Sequence, residues 1–233
     1  MKDRGIIYGA FDPFSSPAKQ RFNPNKKRIL NEFMHSFRSL RKYNPKLAIT
    51  VFTDYQELLD KKFDGVDIIY QKNDVGLLPK VECISRSPYD KSFFIDTDTE
   101  IKGDISELFG FLNYNNFACA REFIHPTAYN TGVFGFNTCL EDTSVFISHW
   151  LNSVKNLKAK GIEKICDQGA FNNLLRFKYK KAKPKFKSLK ECVDNVSIFE
   201  LDSKIYNLRY GELKTNGSLF KNCKILHMRG LAK

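Results

Sequence analysis

With 233 residues, 42% of them hydrophobic and 14% aromatic, the chain can bury a substantial core. Its 38 Lys and Arg against 26 Asp and Glu leave a net charge of +12, which favours anionic partners over cationic ones. No apolar run approaches the roughly 18 residues of a membrane span and no Gly, Ser or Pro tract reads as a linker, so membrane-spanning and low-complexity classes are excluded.

No signal-peptide core follows Met1-Lys2-Asp3-Arg4-Gly5, and the expectation is a soluble, cytoplasmic protein. Six cysteines (Cys83, Cys119, Cys139, Cys166, Cys192 and Cys223) are scattered without a CxxC pair, which reads as reduced thiols rather than a metal cage.

In chain order, residues 5–11 (GIIYGAF) read as a first strand. A helix follows over 23–43, with Asn23 as N-cap, Pro24 at the first helical position, and Ile29, Leu30, Phe33, Met34, Phe37 and Leu40 at helical spacing. The apolar, β-branched runs 47–53 and 66–71 read as central strands, a helix covers about 77–87, and 91–97 (KSFFIDT) is the next strand. Further on, strands are expected at 116–122 and 131–137, helices near 143–160 and 167–177, and late strands at 196–201 and 223–228. This alternation predicts an α/β fold with a Rossmann-like mixed central sheet flanked by helices.

One charged run stands out. Between Arg176 and Lys190, eight of fifteen residues are Lys or Arg and none is acidic. A solvated edge is the plain reading. A surface for peripheral contact with an anionic membrane or acceptor is the other. The interleaved Phe177, Tyr179 and Phe186 would suit nucleic acid, but no recognised nucleic-acid motif accompanies them.

The acidic signal is elsewhere. Asp96 and Asp98 follow the apolar Phe93-Phe94-Ile95, where open α/β sheets gather their sites, at the carboxyl end of a strand. Two carboxylates one residue apart on such a turn can both reach a divalent cation, which can bridge to a diphosphate. A DxD pair arises by chance about once in a chain of this Asp content, so its neighbours decide. A phosphatase of the haloacid dehalogenase type also carries a strand-terminal DxD, but wants Thr or Val where Glu100 stands, and Glu141-Asp142 is a poor downstream metal pair.

The stretch 79–109 (PKVECISRSPYDKSFFIDTDTEIKGDISELF) resembles the core of GT-A nucleotide-sugar glycosyltransferases. Three more blocks follow in the order of glycosyltransferase family 8, the glycogenin and galactosyltransferase-like enzymes: Asn130-Thr131-Gly132, Asp167-Gln168-Gly169, and His227 through Gly230 to Lys233. Gly169 stands where the family has a second Asp. The resemblance implies a single catalytic domain over 1–233. Its nucleotide-binding half would run over about 1–100 and its acceptor-binding half over about 101–233, as a minimal unit or part of something longer.

That resemblance further implies a metal-dependent transfer of sugar from a UDP-sugar to a glycan or other hydroxyl acceptor, as in glycan biosynthesis. Asp96, Asp98 and His227 would hold Mn²⁺ or Mg²⁺. Ala10, Phe11, Asp54, Lys80, Arg86, Thr97, Gly230 and Lys233 would contact the donor, and Asn130 and Thr131 the sugar hydroxyls. Asp167 and Gln168 would face the reacting carbon: Asp167 as base if the enzyme inverts, Gln168 as support for the cation if it retains, as family 8 does. The phosphatase and a basic nucleic-acid-binding module stay as alternatives.

Overall fold

The computed structural model describes residues 2–11, 26–71, 78–122, 127–160, 167–179, 196–215 and 217–228. Asn23, Pro24, Gly230, Lys233 and residues 180–190 of the basic run lie outside the described residues.

Strand β1 (Lys2–Ala10) alternates its side chains strictly. Ile6, Tyr8 and Ala10 enter one apolar cluster and Ile7 the other, because a strand with both faces covered sends successive residues to opposite sides. β2 (Ile49–Thr53) and β4 (Tyr89–Ile95) flank it in parallel, and β3 (Val66–Tyr70) runs parallel to β2 beyond. β6 (Phe117–Arg121), β7 (Tyr129–Asn137) and β8 (Ile198–Leu201) complete the sheet in the order β3-β2-β1-β4-β7-β6-β8. β7 runs antiparallel to both β4 and β6, so the sheet is mixed as expected.

On one face lies helix α1 (Lys26–Tyr43), which presents Phe33, Phe37 and Leu40 to Tyr8, Val51 and Phe93. The other face is covered by α3 (Leu78–Ser85), α5 (Thr143–Ala159) and α6 (Asp167–Tyr179). Phe171 of α6 meets the rings of Phe117, Phe134, Phe146 and Trp150 there, mostly edge-on or tilted, with centroids 5.1 to 6.2 Å apart. Short helices α2 (Gln56–Leu59) and α4 (Leu108–Phe111) fill connections.

A second, three-stranded sheet joins β5 (Thr99–Ile101), β10 (Ile225–His227) and β9 (Leu208–Arg209), with β10 in the centre. Helices α7 (Ser203–Tyr206) and α8 (Tyr210–Thr215) flank β9, and a 3₁₀ turn (Gly217–Asn222) leads into β10. This sheet carries the end of the chain back to the turn after β4.

A line of buried hydroxyls pins that turn from below. Thr99 donates to the Asp96 carbonyl (2.9 Å), which only accepts, so Ser36 must donate to Thr99 (2.8 Å) and Tyr8 to Ser36 (3.0 Å). Burial pushes the Tyr8 phenol well above its ordinary pKa, so it stays a donor. Ser36→Ala strands the Tyr8 hydroxyl, and chemical denaturation should read a loss of about 1–3 kcal/mol. Adding Tyr8→Phe should return part of it, since removing both partners is cheaper than orphaning one.

Candidate active site

The turn Asp96-Thr97-Asp98 joins β4 to β5, and three further contacts hold it. The Asp96 amide donates to the Gly132 carbonyl (2.8 Å), and the Met228 amide to the Asp98 carbonyl (2.7 Å). Pairing of β10 with β5 sets His227 opposite Thr99. The His227 Nε2 atom is therefore 3.1 Å from Asp98 Oδ1 and 3.9 Å from Asp96 Oδ2.

One ligand atom from each of Asp96, Asp98 and His227 falls within 4.8 Å of the others. Adjacent ligands of an octahedral ion with bonds of about 2.1 Å sit about 3 Å apart, so this trio fits a small divalent cation after slight closure. Two hard carboxylates with one imidazole also suit such an ion chemically. Space is kept open by Gly132: a Cβ there would lie 2.5 Å from His227 Cε1 and 2.9 Å from Asp96 Oδ2. Gly132→Ala should weaken Mn²⁺ binding at least about tenfold while the fold survives, which an electron paramagnetic resonance titration would read.

Lys80 reaches this group from the first turn of α3. Its ammonium is 2.8 Å from Asp96 Oδ1 and 3.3 Å from Asp167 Oδ2, and 4.8 Å above the ring of Phe94. Burial alone would pull the lysine pKa down, but the Asp167 and Asp96 carboxylates outweigh it and hold Lys80 charged, above its ordinary range. Burial raises the Asp96 pKa even though Lys80 opposes it. Asp98 moves the other way: burial would raise it, and the neighbouring His227 ring brings it below the usual carboxylate value.

Asp167 opens α6. Its backbone carbonyl accepts from the Trp150 indole (2.9 Å) and its carboxylate from the Thr131 hydroxyl (2.7 Å). Gln168 donates from Nε2 to Glu122 (2.9 Å), and its carbonyl oxygen accepts from Asn130 (3.1 Å). Asn130 and Thr131, expected to touch sugar hydroxyls, are instead only 2% and 1% exposed and bond inward. Both hydrogens of the Asn130 amide are engaged, by Glu122 and Gln168, because β7 begins in the floor of the site rather than on its rim.

Of the remaining expected donor contacts, Ala10 ends β1 and Phe11 follows it, and the pairing of Ala10 with Thr53 brings Asp54 to the same end of the sheet. Thr97 lies half-buried between the two acids. Arg86 lies just past the end of α3, its guanidinium 5.5 Å from the Phe52 ring centroid and bonded to Gln71 (3.3 Å). It flanks β2 rather than the acidic turn.

Three residues that sequence reasoning passed over belong to the group. Glu122 accepts from Asn130, Gln168 and Arg209, and Arg209 pairs with both of its oxygens. Asn207 lies between His227 (3.0 Å) and Asn130 (2.9 Å). Glu122 gave the same signal as the DxD, an acid closing an apolar strand. Asn207 and Arg209 gave none, since a two-residue strand has no pattern to read.

Across 97% of its length the chain superimposes on the glycosyltransferase GlyE of Streptococcus pneumoniae TIGR4, with a TM-score of 0.63 at 19% identity. The fold is that of a glycosyltransferase. The apo form of GlyE gives 0.62 over the same share. In sequence, the chain is 24% identical to human glycogenin-2 over 226 residues, covering 88% of this chain. These matches agree with the motif blocks: a GT-A architecture resembling glycosyltransferase family 8. No protein-family model matches the chain. It spans 40% of glycogenin-2 and 55% of GlyE.

Proposed function

We propose that the chain is the catalytic unit of a metal-dependent glycosyltransferase, moving a sugar from a nucleoside-diphosphate sugar, with uracil as the base, to a glycan or other hydroxyl acceptor. The observation that carries the reading is the meeting of Asp96, Asp98 and His227 at the carboxyl end of β4, in a glycosyltransferase fold. Mn²⁺ is the ion that this donor set favours, and when bound it would neutralise diphosphate charge.

The protein's own groups supply the rest. Lys80 holds a positive charge between Asp96 and Asp167, where a departing phosphate would gain from it. Glu122 holds the Gln168 amide by its nitrogen, so the Gln168 carbonyl oxygen is the end left toward Asn130 and the neighbouring space. Asp167 already accepts from Thr131 and pairs with Lys80, which spends the carboxylate that an inverting enzyme would need as its base. These bonds favour retention, with Gln168 supporting positive charge on the sugar. Ala10, Phe11 and Asp54 would take the nucleoside at the ends of β1 and β2, and Gly230 and Lys233 the phosphates.

Calorimetric titration with UDP, with and without Mn²⁺, followed by a panel of UDP- and GDP-sugars, tests this. Expected is binding that needs the metal, with one sugar preferred and slowly hydrolysed. Absence of any nucleotide binding with Mn²⁺ present would overturn the proposal.

A further inference from the structure

We infer that Asn130 and Asn207 form a polarity relay that keeps a hydrogen on His227 Nδ1, so that Nε2 is the ring nitrogen open to a cation beside Asp96 and Asp98. The inference deepens the metal-site reading above and takes its functional meaning from it.

The argument starts from a group whose role has no ambiguity. The Gly132 backbone N–H can only donate, and it lies 2.7 Å from Asn130. The Asn130 atom facing it is therefore the carbonyl oxygen, and the other end of that side chain is the NH₂. The far end agrees independently: the NH₂ lies 3.0 Å from a Glu122 carboxylate, which accepts from Arg209 as well. Asn130 is thus held from both sides by groups of known sign.

Its carbonyl oxygen also meets Asn207 at 2.9 Å, so Asn207 must present its NH₂ there. That turns the Asn207 carbonyl oxygen toward His227 Nδ1, 3.0 Å away, and a carbonyl can only accept. Nδ1 must carry a hydrogen. Nε2, 3.1 Å from Asp98 Oδ1, is then the nitrogen whose lone pair a cation can take, in exchange for any hydrogen shared with that carboxylate. Asn130, Asn207 and His227 are 2%, 3% and 3% exposed, so water does not readily substitute for any link.

A free histidine side chain slightly favours the opposite tautomer, with the hydrogen on Nε2, where it would block a cation. The relay reverses that preference through two amides and one backbone N–H. It also reaches the reacting face, because the same Asn130 NH₂ bonds the Gln168 carbonyl. Asn130 and Asn207 are positioning residues: neither offers a ligand atom to the ion.

The test is a long-range ¹H–¹⁵N spectrum of the histidine rings in metal-free protein at mildly alkaline pH, with His227 assigned by comparison with His227→Gln. Expected is a His227 ring whose Nδ1 carries a hydrogen whether or not Nε2 does. Asn207→Leu should release it to a mixture and weaken Mn²⁺ affinity about 10- to 100-fold. Asn207→Asp still accepts from Nδ1 and should keep both the tautomer and most of the affinity. A wild-type ring with a bare Nδ1, or an Nδ1 unchanged in Asn207→Leu, would overturn the relay. If Asn207→Leu does not fold, the wild-type spectrum decides alone. A protonated Nδ1 in a wild-type protein that binds no Mn²⁺ would support the relay and sink the metal-site reading, so the two failures are distinguishable.

Discussion

Asp98→Asn should abolish Mn²⁺-dependent binding of UDP and lower donor turnover by about three powers of ten. The substitution preserves shape and the backbone bond from Met228 to residue 98, so the turn should persist. What changes is charge. A neutral amide oxygen replaces an anionic ligand, and an NH₂ can rotate toward His227 Nε2, the atom that should receive the cation. A metal ion's charge stabilisation is worth several kcal/mol, and each ~1.4 kcal/mol is tenfold in rate, which sets the scale. Steady-state hydrolysis of the preferred donor with added Mn²⁺ measures it, with a thermal melt to establish that the variant is folded. Undiminished metal-dependent turnover would mean that Asp98 is no ligand.

Lys80→Met should destabilise the metal-free protein by about 3–5 kcal/mol, because it leaves Asp96 and Asp167 facing each other without their shared cation. The Lys80 side chain is only 13% exposed, so solvent screens little of the loss. For a domain of this size each kcal/mol moves the melting temperature about 2–4 °C, so a fall of roughly 10 °C is expected. Mn²⁺ should narrow the gap between variant and wild type, since an ion at Asp96 and Asp98 offsets the same negative charge that Lys80 meets from the other side. Arginine is no substitute, as its planar fork does not fit a site shaped for a compact ammonium over Phe94. Thermal unfolding with and without Mn²⁺ reads both effects. A variant as stable as wild type would show that the two carboxylates do not depend on Lys80.

Much of this was legible before any coordinate. The first strand, the α1 periodicity and the apolar run into Asp96 are local patterns, set by which face of a strand or helix must leave water. The DxD and the blocks around Asn130, Asp167 and His227 pointed to one site although they lie far apart in the chain. Other parts were illegible for physical reasons. β9 and β5 are too short to carry a period, so the second sheet went unforeseen, and with it Asn207 and Arg209. The family resemblance assigned Asn130 and Thr131 to sugar hydroxyls, and no local pattern shows that the β4–β7 pairing sinks them into the floor.

The sequence by itself determined the layers, the residue types at the site and the chemistry that they suit, since those follow from side-chain hydrophobicity and ligand character. Only the tertiary structure decided how the residues are used. It joined Lys80 to two carboxylates from separate strands and helices, set Glu122 behind Gln168, and linked His227 through Asn207 to Asn130. Such roles depend on donor and acceptor directions across contacts of dozens of residues' separation, and no local pattern encodes a direction.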